Sequence, residues 1–290
     1  MVKLSLLAVF ILMPLGSVAA QQAPDAGQQI QQIPKPPIVE RPVPEIKIDR
    51  PTAPVLAADS GPKVRVNALL VTGETLFSEE QLIAATDFKS GSELNLSDLR
   101  NIAARIARYY NDQGYFLAQA YLPTQNIEGG VVTIAVIEGR YDQISVRNQT
   151  GLKDKVASGI LAGLNSGNIV ESAPLERRLL LLSDIPGVAV RSTLALGSAV
   201  GTSDLIVDIV PGRSVTGSIE ADNAGNRYTG ENRLGGSIYF NNPTGNGDVA
   251  SLRVLASDLG LQYGRASYQT LLGNASVGVA YARVNYELGR

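Results

Sequence analysis

The sequence predicts an α+β protein in which two strand-helix-helix-strand-strand modules precede about five antiparallel strands of a membrane β-barrel. Helical and strand patterns occur in the same order twice between residues 63 and 213, which is an internal repeat of architecture. Beyond Arg213 the helical periodicity stops, and apolar residues alternate with polar ones. A chain of 290 residues that is 44% hydrophobic is long and apolar enough to fold.

The composition excludes several classes of function. The chain has no His, Cys or Trp, which removes histidine-based triads, thiol chemistry, zinc sites built on Cys or His, and disulfides. A net charge of -2 disfavours nucleic acid as a partner. The paired acids Glu79 and Glu80 fit a helix first turn, and the glycines at 235–236 precede a strand rather than a phosphate-binding helix. We therefore expect no catalytic activity, cofactor, metal or nucleotide.

Residues 1–20 have the pattern of a secretory signal peptide. Lys3 supplies the charge, an apolar run extends from Leu4 to Leu15, and Val18-Ala19-Ala20 offers small residues before a cleavage site. The alternative is an uncleaved membrane anchor. The apolar run is short for a span of about 20 residues and is broken by Pro14. We expect cleavage after Ala20 and export.

Residues 21–62 predict an extended linker. This segment holds nine of the fifteen prolines and little apolar periodicity, a composition that favours polyproline II conformations. One Gln-rich patch, Asp25 to Gln32, predicts a short helix that is marginal by itself.

The first module covers residues 63–139. Alternation from Val64 to Leu70 predicts a strand, and Ser78 followed by Gln81 predicts a helix that begins with a capping box. An apolar stripe predicts a second helix from Asp98 to Gln113, ended by Gly114. Two further strands are predicted at Tyr115–Leu122 and Val131–Ile137.

The second module covers residues 140–213 and repeats this order. Ile144 and Val146 indicate its first strand, and a helix is predicted from Leu152 to Leu161. Ser172 is predicted to cap a second helix. The module closes with predicted strands Val188–Leu196 and Leu205–Val210.

Residues 214–290 contain five alternating segments. Their apolar sets begin at Val215, Leu234, Ala250, Ala266 and Ala282, the last continuing through Val284, Tyr286 and Leu288. A soluble sandwich also alternates in this way. The glycine-rich apolar face and the tyrosines near strand ends favour a lipid-facing band around a wet lumen. Because five strands cannot close a barrel, for which about eight are needed, we expect a fragment of a longer barrel protein.

Several of these segments resemble one known family, the outer-membrane transporters of two-partner secretion, also called haemolysin secretion/activation proteins. VTGETLF, GYFLAQAYLPTQ and VVTIAVIEGR are similar to their first periplasmic POTRA domain. LLLLSDIPGVAV and GTSDLIVDI are similar to their second POTRA domain, and DNAGNRYTG and NPTGNGD to the first hairpins of their barrel. The resemblance covers about residues 63–290 in family order.

The resemblance implies a barrel of about sixteen strands in the outer membrane, with the POTRA domains in the periplasm. It implies a secreted client polypeptide and outer-membrane lipid as partners, no cofactor, and export driven by folding of the client outside. We expect a monomer. The patch at 25–32 sits where family members carry a pore-plugging helix, which it matches poorly. The alternatives are a factor that inserts barrel proteins into the outer membrane and a periplasmic POTRA scaffold.

The candidate client-binding site is a groove beside the strand that follows the second helix of the first module. Such a strand leaves one edge free when its other edge pairs with its hairpin neighbour, and a free edge accepts an extended peptide. The alternative is that the aromatic residues there belong to the core. The residues assigned to the groove are Tyr110, Tyr115, Leu117, Gln119 and Tyr121.

Overall fold

The computed structural model describes residues 45–48, 61–273 and 275–287. The predicted signal peptide and the predicted helix at 25–32 lie outside the described residues, as does most of the linker. In the described part of the chain, no α-helix has both the length and the hydropathy needed to cross a membrane.

The first module has a three-stranded sheet covered on one face by two helices. In chain order the elements are β2 (Val64–Val66), β3 (Ala68–Thr72), α1 (Glu79–Ala84), β4 (Ser92–Leu94), α2 (Leu96–Asp112), β5 (Gln119–Tyr121) and β6 (Val131–Ile137). The sheet order is β3-β6-β5, with β6 parallel to β3 and antiparallel to β5, and β2 forms a separate pair with β4.

The capping box of α1 is confirmed. Ser78 Oγ accepts from the Gln81 amide at 3.3 Å, and the Gln81 side chain accepts from the Ser78 amide at 3.0 Å. A second capping box joins Asn95 and Asp98, so α2 begins two residues earlier than predicted. The core between the helices and the sheet contains Ile106 and Ile134, both fully buried.

The second module has a four-stranded sheet. Its elements are β7 (Arg140–Asn148), α3 (Asp154–Leu161), α4 (Ser172–Ser183), β8 (Val188–Leu196) and β9 (Thr202–Pro211). Strand β1 (Glu45–Ile48) comes from the segment predicted to be linker and pairs in parallel with β8, so the sheet order is β1-β8-β9-β7. The predicted cap at Ser172 is wrong: the N-cap of α4 is Glu171, whose side chain makes no capping hydrogen bond.

The remaining strands form one antiparallel sheet with two unlike faces. The strands are β10 (Val215–Asp222), β11 (Arg233–Asn241), β12 (Val249–Ser257), β13 (Gln262–Leu272) and β14 (Ala275–Asn285), paired in sequence order. We call the face that bears Leu234 and Val254 the apolar face, and the face that bears Glu220 and Arg253 the polar face. On the polar face Glu220 pairs with Arg253, and Asp222 pairs with Arg233 at 2.6 Å.

The predicted apolar set of β14 is wrong. Ala282 lies opposite Arg265 and Val284 opposite Tyr263, which places both on the polar face. There Val284 packs with Tyr263 and Leu255 in a small apolar cluster. The strand begins at Ala275, seven residues before the predicted segment, and Val277, Val279 and Tyr281 supply its apolar face. Leu288 lies outside the described residues.

The turn between β11 and β12 contacts the second module. The Lys153 amide donates to the Gly245 carbonyl at 2.9 Å, and Lys153 Nζ donates to Asn246 Oδ1 at 2.9 Å. Inside the turn, the fully buried Asp248 accepts from the Tyr268 hydroxyl at 2.9 Å and from the Thr244 amide. These contacts hold the end of the sheet that lies next to the second module. Strand β10 begins at the same end.

Candidate functional site: the open edge of the first module

Strand β5 is an edge strand, as predicted, but it is shorter than predicted. Among the described strands it pairs with β6 alone, in the register Gln119–Ile137, Ala120–Val136 and Tyr121–Ala135. Residues 115–118 are not part of it, because the Ala118 amide donates to the Tyr115 carbonyl at 3.0 Å in a turn. The side chains of residues 115–118 therefore do not alternate between the two faces of the sheet.

The turn before β5 is a Schellman motif, which explains why the strand starts late. Gly114, with φ of +94°, follows the C-cap residue Gln113. The Gly114 amide donates to the Asn111 carbonyl at 2.9 Å, and the Tyr115 amide donates to the Tyr110 carbonyl at 2.9 Å. The hydrophobic contact typical of this motif is present, since the rings of Tyr110 and Tyr115 lie 6.3 Å apart.

The side chain of Gln125 makes the hydrogen bonds to β6 that the backbone at Pro123 does not make. The register of β5 and β6 places Pro123 opposite Thr133, but proline has no N–H to donate. Instead the Gln125 side-chain amide accepts from the Thr133 amide and donates to the Thr133 carbonyl, both at 2.7 Å. The backbone groups of Thr133 therefore point towards the β5 side of the sheet.

This orientation of Thr133 determines which groups of β5 are free. In a strand, the N–H and C=O groups of one residue point the same way, and the direction alternates from residue to residue. Ala135 and Ile137 thus face β5, while Val136 faces β3; its carbonyl oxygen lies against Gly73, which follows β3. Ala120, opposite Val136, consequently directs its N–H and C=O away from β6 to the open edge.

The structure separates the five residues assigned to the groove. Gln119 and Tyr121 are exposed on the open face of the sheet, with Tyr121 47% exposed. Tyr110 is fully buried, so it is not available to a client, and Tyr115 is partly buried against the core. Leu117 packs against the core of the second module. The prediction that Tyr110, Tyr115 and Leu117 line the groove is wrong: Tyr110 lies on the buried face of α2, the Schellman turn directs Tyr115 to the same core, and Leu117 contacts the core of the second module.

Phe77, which the sequence analysis did not assign, is the centre of the aromatic cluster. Its ring lies 5.1, 4.9 and 5.9 Å from those of Tyr109, Tyr110 and Tyr115, in edge-to-face geometry throughout. The cluster holds the C-terminal end of α2 against the loop after β3. It supports the start of β5 from within the core.

A buried carboxylate, Glu138, connects this cluster to the second module. Its Oε1 accepts from the Thr75 and Leu76 amides at 2.6 and 2.9 Å and from the Tyr110 hydroxyl at 3.2 Å. Its Oε2 accepts from the Thr75 hydroxyl and lies 3.4 Å from Arg140. Arg140 also donates to the Gly167 carbonyl of the second module at 3.0 Å. Glu138 and Arg140 together form a polar joint between the modules.

The ionisation of this cluster follows from its contacts. Burial by itself would raise the pKa of Glu138, but the hydrogen bonds from Thr75, Leu76 and Tyr110 outweigh it and lower the pKa below the ordinary value of 4.5. Burial, followed by the nearby Glu138 charge, raises the pKa of Tyr110. At neutral pH the cluster is a carboxylate and a neutral phenol, which is the state its hydrogen bonds require.

The equivalent edge of the second module is occupied. Strand β8 follows the second helix of its module, as β5 does in the first, and it pairs with β9 on one side. On its other side it pairs with β1, from Glu45 opposite Arg191 to Ile48 opposite Leu194. Among the residues that the structure describes, the β8 edge has a partner strand and the β5 edge has none.

Two tandem modules of this kind, joined to long antiparallel strands with one apolar face, define a POTRA-containing protein of the outer-membrane type. Residues 64–139 match the model of the POTRA domain, ShlB-type. Residues 201–286 match the model of haemolysin secretion/activation protein ShlB/FhaC/HecB. Over these two ranges the chain matches the haemolysin secretion/activation protein family, as the motifs of the sequence predicted.

Relatives and solved structures agree with this family. The chain is 34% identical over 203 residues to the heme/hemopexin transporter protein HuxB of Haemophilus influenzae, which covers 69% of this chain and 36% of HuxB. It is 27% identical over 198 residues to the outer membrane transporter CdiB of Escherichia coli, covering 68% of this chain and 33% of CdiB. The chain thus spans about a third of the length of these curated relatives.

The same architecture occurs in solved structures. CdiB from Escherichia coli superposes with a TM-score of 0.63 at 25% identity, over 81% of this chain and 45% of that one. CdiB from Acinetobacter baumannii superposes with a TM-score of 0.57 at 21% identity, over 86% of this chain and 50% of that one. The predicted fold class and the resemblance drawn from the sequence are confirmed.

Proposed function

We propose that this protein is the outer-membrane transporter of a two-partner secretion system, with its POTRA modules in the periplasm. It receives an exported polypeptide in unfolded form and passes it to a barrel of which the five-stranded sheet is a part. The observation that carries this proposal is the open edge of β5, at which Ala120 presents an unpaired N–H and C=O within a POTRA domain of this family.

The client is recognised as an added strand. Main-chain hydrogen bonds to Ala120 supply sequence-independent affinity, which suits a large secreted polypeptide. Gln119 and Tyr121 contact the side chains of the client on the open face of the sheet. That face also exposes Leu70 and Val131, each 42% exposed, so clients with apolar residues at alternate positions fit it best.

The proposal needs neither a catalytic centre nor a nucleotide. Family relatives are named as transporters. Folding of the client outside the cell supplies the direction of export, and the protein acts as a monomer. We assign residues 1–20 to a signal peptide, 21–62 to a linker whose strand β1 joins the sheet of the second module, 63–139 and 140–213 to the POTRA modules, and 214–290 to the barrel.

A secretion assay tests this function. The full-length protein is expressed with a candidate secreted client, and the client is measured in the culture medium and in the periplasm. Ala120→Pro removes the free N–H, and Ala120→Ser is the matched control that retains it. We expect the proline variant to bind client about ten-fold more weakly, from the loss of about one hydrogen bond and the clash of the ring, and to secrete less.

Two results would contradict the proposal. Equal secretion by the proline and serine variants, at equal protein levels in the membrane, would remove the β5 edge as the recognition site. Loss of other outer-membrane proteins with unchanged export of the client would favour an assembly factor instead.

A further inference from the structure

One row of residues across the apolar face of the barrel sheet forms a lateral groove that ends at an arginine. The strand register places Ile219, Gly236, Val254, Gly264 and Arg283 side by side, one from each strand from β10 to β14. Glycine stands at every second position, so the row has gaps where side chains would otherwise project. A Cβ placed on Gly264 would meet nothing within 4 Å.

The groove is large enough to hold part of a lipid. Its volume is about 680 Å³, it is open to the outside, and its lining includes all five residues of the row, with Leu234, Ala256, Gln262 and Asn285 from the next row. Its walls are mainly aliphatic, and its floor is the backbone at the two glycines. An acyl chain fits this surface because it can lie in the gap over Gly236, between the side chains of Ile219 and Val254. A row of five larger side chains would leave no such gap.

Arg283 is placed at the level of lipid headgroups. It lies two residues from the end of β14, at the end of the sheet remote from the turn that contacts the second module. From Ala275 to Arg283 the strand rises about 27 Å, which at a tilt of about 40° is about 20 Å along the membrane normal. The apolar band of such barrels is about 25 Å tall, so with Ala275 taken as its periplasmic border the long side chain of Arg283 reaches the outer border.

The charge of Arg283 is not neutralised within the part of the chain that the structure describes. Its Nε donates to Asn285 Oδ1 at 3.3 Å, and no described carboxylate lies within ion-pair distance. By contrast, the buried arginines of the polar face, Arg233 and Arg253, are both paired with acids. An exposed arginine at the end of an apolar groove is complementary to an amphiphile with an anionic head.

We propose that this groove binds an anionic, phosphate-bearing lipid of the outer leaflet, with an acyl chain across Gly236 and Gly264 and the phosphate on Arg283. The inference rests on the proposed function, since it requires the sheet to lie in the outer membrane with the modules on the periplasmic side. Arginine suits this role because its planar fork binds a phosphate through two parallel hydrogen bonds.

Lipid selectivity measured by fluorescence quenching tests the proposal. Because the chain has no tryptophan, a Leu252→Trp reporter can be placed beside the groove, on the next row of the apolar face. The full-length reporter protein is reconstituted in bilayers of brominated phosphatidylglycerol or brominated phosphatidylcholine with identical chains, and the signal of the parent protein is subtracted. The ratio of quenching by the two lipids gives the preference for the anionic one.

We expect a preference of about five-fold for phosphatidylglycerol, the factor expected for one cation near an anionic headgroup. Arg283→Gln should abolish it, and Arg283→Lys should keep most of it. Arg265→Gln, an exposed arginine on the polar face of β13, is the matched control and should leave it unchanged. Gly264→Leu should weaken quenching by phosphatidylglycerol, and millimolar inorganic phosphate should not, because the acyl chain contributes to binding.

The outcomes separate this inference from the function on which it rests. Quenching by both lipids without preference, or equal loss in the Arg283→Gln and Arg265→Gln variants, would overturn the lipid site alone. Absence of quenching by either lipid would show that the sheet is not in the bilayer, and would overturn the proposed membrane location as well. Heat-modifiable mobility on gels checks that every variant is folded.

Discussion

Replacing Glu138 by glutamine should destabilise the two POTRA modules together. The side chain of Glu138 is only 2% exposed, and it accepts hydrogen bonds from two amides and two hydroxyls besides its contact with Arg140. Glutamine retains the shape and one acceptor oxygen, but it loses the charge and turns an NH₂ group towards Arg140. A hydrogen bond to a charged group is worth about 1.5–3 kcal/mol, so we expect a loss of about 2 kcal/mol.

The assay is unfolding of residues 61–213 by urea and by heat. For a unit of this size, 2 kcal/mol corresponds to a decrease in Tm of about 6 °C. Tyr110→Phe removes only the 3.2 Å hydrogen bond and should cost about 1 kcal/mol. Glu128→Gln, at an exposed position, is the matched control and should leave stability unchanged. A Glu138→Gln variant as stable as this control would refute the reasoning.

The same cluster predicts a dependence on pH. Because the pKa of Glu138 is lower in the folded than in the unfolded protein, its charged form stabilises the fold. This contribution is complete above the unfolded value of about 4.5 and is lost as the pH falls through the lower folded value. The difference in stability between wild type and Glu138→Gln should therefore shrink below about pH 4.5 and stay constant between pH 6 and 8.

Three further changes test separate parts of the structure. Gln125→Leu removes both hydrogen bonds to Thr133, so the amides of β5 should exchange with solvent several-fold faster while the core amides do not. Ile48→Asp places a charge where β1 packs on the second module, and amides of β8 on the β1 side should lose protection without a change in global stability. Asp248→Asn weakens the turn that contacts Lys153, so proteolysis between the second module and the sheet should accelerate; equal cleavage rates would contradict that contact.

The elements that the sequence predicted well are those in which one local pattern decides the structure. Strand β6 (Val131–Ile137) has the predicted bounds, because its strict alternation matches one buried face. The capping box at Ser78 and the buried stripe of α2 also depend on spacing alone. In such segments local propensity and tertiary packing favour the same conformation.

The sequence predictions fail where a turn, or a segment distant in the chain, determines the local structure. Tyr115–Leu122 alternates well enough for a strand, but the Schellman turn at Gly114 fixes its first four residues, so that the open edge begins only at Gln119 and its free backbone donor is Ala120. Strand β1 has no strong pattern of its own and exists through pairing with β8. The faces of β14 were misassigned because its last residues, including Val284, join an apolar cluster on the polar face.

The sequence predicted where the candidate site lies, but it did not predict which backbone groups are free there. A free edge beside the second helix follows from the order of elements, and it is present. Which backbone groups are free depends on how β5 pairs with β6, and the Gln125 side chain, four residues beyond the end of β5, completes that pairing at Thr133. Periodicity carries no signal for that contact.

Amide exchange at β5 tests the central claim most directly. In isolated residues 61–213, the amide of Ala120 faces the open edge, whereas those of Gln119 and Tyr121 face β6. Addition of a client segment should protect the Ala120 amide at least about ten-fold and leave the Tyr121 amide nearly unchanged, as measured by NMR-detected hydrogen exchange. Unchanged exchange at Ala120 in the presence of saturating client would contradict strand addition at this edge.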